Sequence, residues 1–142
     1  MALPFNLTGS IIQAEDAGVL LPAYEWTTSS PLAATNTSFT LYVNPNIGGT
    51  YQVAGASVVF GTASSSGTMQ VEVATGTQAV ASGTNQLTGT MSLAGTANTT
   101  VNGTVIASPT TITAGSRVNI ILGGTLTSLA NCVVTVILKR VS

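Results

Sequence analysis

The chain has 142 residues, of which Asp, Glu, Lys and Arg make up 5%, against about a quarter in an average globular domain, and it has no histidine. Without imidazole and with one cysteine, Ser-His-Asp triads, Cys-His pairs and zinc sites built on imidazole or several thiolates are excluded. Three basic residues are too few for a phosphate-neutralising patch, so nucleic acid is not an expected partner, and 44% hydrophobic content argues for a packed core rather than disorder.

The core is built from small and β-branched residues. Only 5% of the chain is aromatic, while 24 Thr accompany many Val and Ile, a composition suited to half-buried pleated surfaces. The first residues, Met1 to Asn6, have no basic region and no long apolar stretch, so they do not read as a secretory signal. No run approaches the about eighteen apolar residues of a membrane span, so no membrane is expected as a partner.

Residues 1–36 read as an irregular arm carrying Pro4, Pro22, Pro31 and the acids Glu15, Asp16 and Glu25. Ile11-Ile12 and Val19-Leu20-Leu21 read as short strands or apolar anchors, too greasy for a solvated linker. From residue 37 to 142, alternation with period two recurs between turn signals. Phe39, Leu41 and Val43 form the first such strand, ended by Asn44-Pro45-Asn46 and Gly48-Gly49. Tyr51 to Phe60 follows, with a bulge expected at Gly55.

Met69, Val71 and Val73 alternate with Gln70 and Glu72, the pattern of a strand with one wet face. Thr75 to Thr84 is a loop, and Leu87 to Leu93 is expected as a strand. Asn102-Gly103 is either a hairpin turn or part of an unbroken strand over 98–107. Ala114-Gly115-Ser116 turns into the strand Arg117 to Leu122, which Gly123-Gly124 stops. Val133 to Val141 is the last strand, apolar on both faces, and therefore expected between the core and a second layer or a neighbouring subunit. About eight short strands at this spacing predict an all-β, antiparallel two-sheet sandwich of jelly-roll type with an extended N-terminal arm.

Few residues carry chemistry. Glu15-Asp16 are too few ligands for a calcium site. A carboxylate pair for glycoside hydrolysis would draw on Glu15, Asp16, Glu25 and Glu72, lined by Tyr24, Trp26, Tyr42 or Tyr51, but solvated or interface charges explain these acids better. Cys132, before the apolar run Val133-Val134, reads as a small buried hydrophobe. Lys139, the single lysine, could join Asn131 or another Asn in an isopeptide bond promoted by Glu72; the plainer reading makes Lys139-Arg140 flanking charges. No enzyme and no cofactor is expected.

The segments Gly67 to Val73, Leu93 to Asn98, Ala114 to Val118, Gly123 to Thr127 and Val133 to Val141 together resemble small structural proteins of tailed bacteriophages. The chain is most similar to capsid decoration, or cement, proteins with a jelly-roll body, a likeness that covers residues 60–142. The resemblance implies a virion structural protein on the outer capsid surface, made in the host cytoplasm. Its partners would be the major capsid protein and its own copies, as a homodimer or homotrimer, at symmetric positions on the shell. Phe5, Ile11, Ile12, Glu15, Asp16, Glu25, Trp26, Lys139 and Arg140 are the candidate contacts, the acidic arm and basic C-terminus fixing orientation. The alternative is a receptor- or carbohydrate-binding module of a tail fibre or baseplate, which would expose Tyr24, Trp26 or Tyr51.

Overall fold

A computed structural model describes residues 15–16, 19–20, 23–28, 38–44 and 49–141, the first three stretches as backbone alone. Phe5, Ile11 and Ile12 lie outside the described residues. Among the described residues the elements are all strands: β1 Glu15–Asp16, β2 Val19–Leu20, β3 Ala23–Thr28, β4 Phe39–Val43, β5 Tyr51–Thr62, β6 Thr68–Ala74, β7 Thr84–Asn85, β8 Met91–Ser92, β9 Val101–Gly103, β10 Arg117–Gly123 and β11 Ala130–Arg140.

The body is an antiparallel two-sheet sandwich. One sheet has the order β3-β11-β5-β9; the other runs β4-β10-β6-β7, with β8 also on β6. β1 and β2 pair with each other, and β2 lies against β11. The chain changes sheet at each step from β3 to β6, and again from β8 to β9, β9 to β10 and β10 to β11. β3 falls inside the stretch read as an arm, yet it pairs with β11 from Ala23↔Ile137 to Thr28↔Cys132.

Alternation explains the core. Val58 and Phe60 of β5, Met69, Val71 and Val73 of β6, Val118, Ile120 and Leu122 of β10, and Cys132, Val134, Val136 and Leu138 of β11 are buried between the sheets. Leu87, Leu93, Ile112, Leu126 and Leu129 close the core from the connections. Burying each such side chain contributes about 1.5–3 kcal/mol before ordering costs. The outer side of β11 is different: Val133 and Thr135 are half-buried, and Ile137 is exposed.

Two expectations are corrected, and one left open is resolved. Gln70 and Glu72 do not form a wet face; both are buried, because the chain after β6 folds back over them. Leu87 to Leu93 is not one strand. The chain there is held by the two-residue β7 and β8 and a Leu87–Val105 bridge, since Leu87 turns into the core. Asn102-Gly103 is no hairpin turn but part of β9, opposite Ser57 and Ala56. The expected bulge in β5 is present one residue earlier, at Ala54, where the register steps from Ile137↔Gly55 to Leu138↔Val53.

Candidate functional site

Charge is confined by the topology. From residue 38 onward the charged side chains are Glu72, Arg117, Lys139 and Arg140. Arg117 opens β10, whereas Lys139 and Arg140 close β11. Antiparallel strands bring these two points to the same end of the sandwich. Arg117 pairs with Val43, and the next residue, Asn44, donates from Nδ2 to Gly49 O (3.3 Å) and Ile112 O (3.1 Å). Ile112 bridges Tyr51, which pairs with Arg140. All three cations of the chain therefore sit at one end, with Lys139 and Arg140 exposed.

The loop of residues 75–83 stands at that end and is clasped from beneath. Glu72 Oε1 accepts from Asn119 Nδ2 (2.7 Å) and Ala81 N (3.1 Å), and Oε2 from Gly83 N (2.8 Å). Asn119 Oδ1 accepts from Thr40 Oγ1 (2.8 Å), so a polar row crosses three strands on the outer side of the five-stranded sheet. Arg117 Nη2 donates to Gly76 O and Gln78 O. The anion thus holds loop N–H groups and the cation holds loop carbonyls. Inside the loop, Gln78 Oε1 accepts from Thr75 N (2.8 Å) and Gln78 Nε2 donates to Ser82 O (3.2 Å). Gly83 is required where it is, because a Cβ there would lie 2.4 Å from Val73 O.

The outer face of the four-stranded sheet is the opposite case. Its rows in register are Val59–Val133–Thr27, Asn102–Ser57–Thr135–Glu25 and Gly55–Ile137–Ala23, with one acid, on the edge strand β3. A Cβ on Gly55 would lie 3.3 Å from Ile137 Cδ1, and one on Gly61 would lie 3.0 Å from Asn131 Cβ. Ile137 and Asn131 therefore lie over the two glycines.

Of the residues singled out from sequence, Lys139 is opposite Gln52, and Arg140 opposite Tyr51. Glu25 is registered with Thr135, and Trp26 with Val134, on β3. Glu15 and Asp16 pair with Leu20 and Val19. Tyr51 is half-buried against the core. Lys139 and Asn131 are on one strand, about 26 Å apart by strand rise, and Glu72 belongs to the other sheet, so these three cannot form an isopeptide site. Cys132 is buried, and desolvation pushes its thiol up to about 11, which makes it inert at neutral pH.

Sequence reading did not single out Asn44, Gln70, Gln86 and Asn119, all buried and all bonded to other segments. The available signal was scarcity: Glu72 is a lone acid amid an apolar strand. Among the described residues, no three His, Cys, Asp or Glu side chains gather as a metal site, and no helix is long and apolar enough to cross a membrane. No protein family, curated protein or solved structure matches the chain.

Proposed function

We propose that this protein is a virion structural component that decorates and stabilises a phage capsid, bound at symmetric positions on the shell through the major capsid protein and its own copies. The observation that carries the reading is the charge polarity of the body. One end holds Arg117, Lys139 and Arg140, while the remaining surface beyond residue 38 is uncharged. A cationic end selects an acidic partner patch and fixes orientation. Sides whose one acid is Glu25 on the edge strand β3 pack beside neighbours in a lattice with little like-charge repulsion. Glu72, the acid of residues 38–142, has three donors on its carboxylate and none of the openness of a general base.

The strand order supports a jelly-roll type. With β7 and β8 counted as one interrupted strand, the eight body strands from β3 onward fall into sheets 1-8-3-6 and 2-7-4-5. In this reading the N-terminal segment, with Phe5, Ile11, Ile12, Glu15 and Asp16, reaches a neighbouring subunit, and Glu25 and Trp26 extend that contact to the sheet edge.

The test is made on virions. Electron microscopy and protein stoichiometry of purified particles should find hundreds of copies at symmetric shell positions. Because β3 belongs to the sheet, the informative truncation removes residues 1–22 rather than 1–36. That variant should fold and fail to attach. A handful of copies at a tail tip overturns the cement role, and a truncated protein that decorates shells normally overturns the role of the N-terminal segment.

A further inference from the structure

We propose that Asn102-Gly103 is a site of spontaneous covalent modification, where the chain converts its own asparagine to aspartate or isoaspartate at a rate set by the opening of β9. The site is independent of the capsid reading. Asn102 is the one asparagine of the chain followed by glycine. Such a dipeptide commonly serves a hairpin turn, but here both residues lie in β9, opposite Ser57 and Ala56, and Gly103 has no positive φ. Packing explains the glycine instead. A Cβ on Gly103 would lie 2.6 Å from Leu87 Cδ1 and 3.1 Å from Met91 Sδ, both side chains of the buried core. The core thus fixes a glycine directly after an exposed asparagine.

That pairing is reactive. The backbone nitrogen of Gly103 attacks Asn102 Cγ and gives up its proton. A C–N bond forms, the side-chain nitrogen takes up a proton and leaves as ammonia, and a cyclic imide remains. Water then adds to either imide carbonyl and breaks one C–N bond, leaving aspartate or, where the main chain is rerouted through Cγ, isoaspartate. The sum is amide plus water to acid plus ammonia, with no oxidant, reductant or cofactor. The Asn102 amide is free to react, since no group among the described residues hydrogen-bonds it. Asn44 and Asn119 are buried and bonded. Asn85, Asn98 and Asn131 are exposed, but Gln86, Thr99 and Cys132 follow them, and a side chain in that position hinders the attack.

The fold supplies the gate. An extended strand holds ψ near about +135°, which turns the Gly103 nitrogen away from Asn102 Cγ, so the imide closes from an opened β9. That strand has three residues, one sheet neighbour, β5, and a following segment tied by the Leu87–Val105 bridge and by Thr88 N donating to Thr104 O (2.9 Å). Such short ladders open locally at low cost. The observed rate is the unfolded-chain rate times the open fraction, so the folded protein should react on the order of 10- to 100-fold more slowly than the unfolded chain. The product adds a second acid to the row Asn102–Ser57–Thr135–Glu25 and lowers the formal net charge of −1 by one. Isoaspartate also lengthens the main chain by one methylene opposite Ser57 and so disturbs the register of β9.

The test follows the full chain, folded and in urea above its midpoint, by fragmentation mass spectrometry and an isoaspartyl methyltransferase assay over weeks. Asn102 should gain the mass of an NH₂-to-OH exchange and yield isoaspartate together with aspartate. The rate should rise with pH, because the attacking amide must lose its proton. Asn102→Gln should yield no isoaspartate. Asn98, equally exposed but followed by Thr99, should stay unchanged over the same period. Val105→Ala, which weakens the tie to Leu87, should bring the folded rate closer to that of the unfolded chain. Should that variant fail to fold, urea below the wild-type midpoint serves the same purpose.

An Asn102 unchanged in the folded protein after about a hundred half-lives of the unfolded chain overturns the proposal. Equal rates in the folded and unfolded chain overturn it too, since β9 then gates nothing. So does isoaspartate that appears first at Asn98. None of these results bears on shell attachment, which is scored separately on virions.

Discussion

Replacing Glu72 by alanine should cost about 3 kcal/mol of stability, although the residue touches no ligand. The carboxylate receives Asn119 Nδ2, Ala81 N and Gly83 N at 2.7, 3.1 and 2.8 Å, and Glu72 is 2% exposed. A buried donor left without an acceptor costs about 1–3 kcal/mol. Asn119, fully buried, falls in that range, while the two loop amides lie nearer water and add less. For a chain of this size the loss lowers the melting temperature by about 10 °C. Glu72→Gln is the graded control. Its remaining oxygen can serve Asn119 and Ala81, but its amide nitrogen then faces the Gly83 N–H, donor against donor, for about 1–2 kcal/mol. Urea unfolding should rank the proteins wild type, Gln, Ala. Amide exchange should accelerate at Gly83 in both variants and at Ala81 chiefly in the alanine variant. An alanine variant within about 0.5 kcal/mol of wild type, or unchanged exchange at both amides, would refute the clasp.

Gly124→Ala and Gly115→Ala separate backbone strain from contact. Both glycines have positive φ, +69° and +77°, but a Cβ at Gly124 would lie 2.2 Å from Ser66 O and one at Gly115 meets nothing within 4 Å. Gly115→Ala should cost about 1–2 kcal/mol and Gly124→Ala at least about 1 kcal/mol more, read as a lower urea midpoint. Cys132 gives a pH dependence of known sign: an unfolded thiol ionises near 9.0, whereas the folded one stays neutral until about 11. The folded state binds more protons between these values, so stability is full below pH 9 and falls as pH rises to 11, by at most about 2–3 kcal/mol. Comparing urea midpoints of wild type and Cys132→Ala from pH 8 to 11 isolates that slope, which the variant should lack. Deleting residues 1–22 should leave the thermal melt of the body intact, whereas deleting 1–36 removes β3, bares the edge of β11 and should raise light scattering.

The legible parts of the fold are those where burial has period two. Met69, Val71 and Val73 face the core, as do Val134, Val136 and Leu138, and a strand exposes this in the order of its letters. Glycine pairs at strand ends were legible for the same local reason: Gly124 takes the positive φ that stops β10. The wet face assigned to Gln70 and Glu72 failed because alternation tells which side a residue occupies, not what covers that side. The split of 84–92 into β7 and β8 was hidden because Leu87 obeys the core rather than the strand pattern. The cationic end was half legible. Lys139-Arg140 stood out as a pair, but Arg117 is 22 positions earlier, and only the strand order places it beside them.

By itself, the sequence determined that this protein is an all-β sandwich with little acid–base chemistry, because composition and period-two alternation act within single strands. The tertiary structure alone decided that a lone acid becomes a buried clasp, that three separated cations share one end, and that the chain folds back over the outer face of the five-stranded sheet. Those outcomes depend on contacts between residues tens of positions apart, whose proximity is a property of sheet order and register and is not written in any local stretch of the chain.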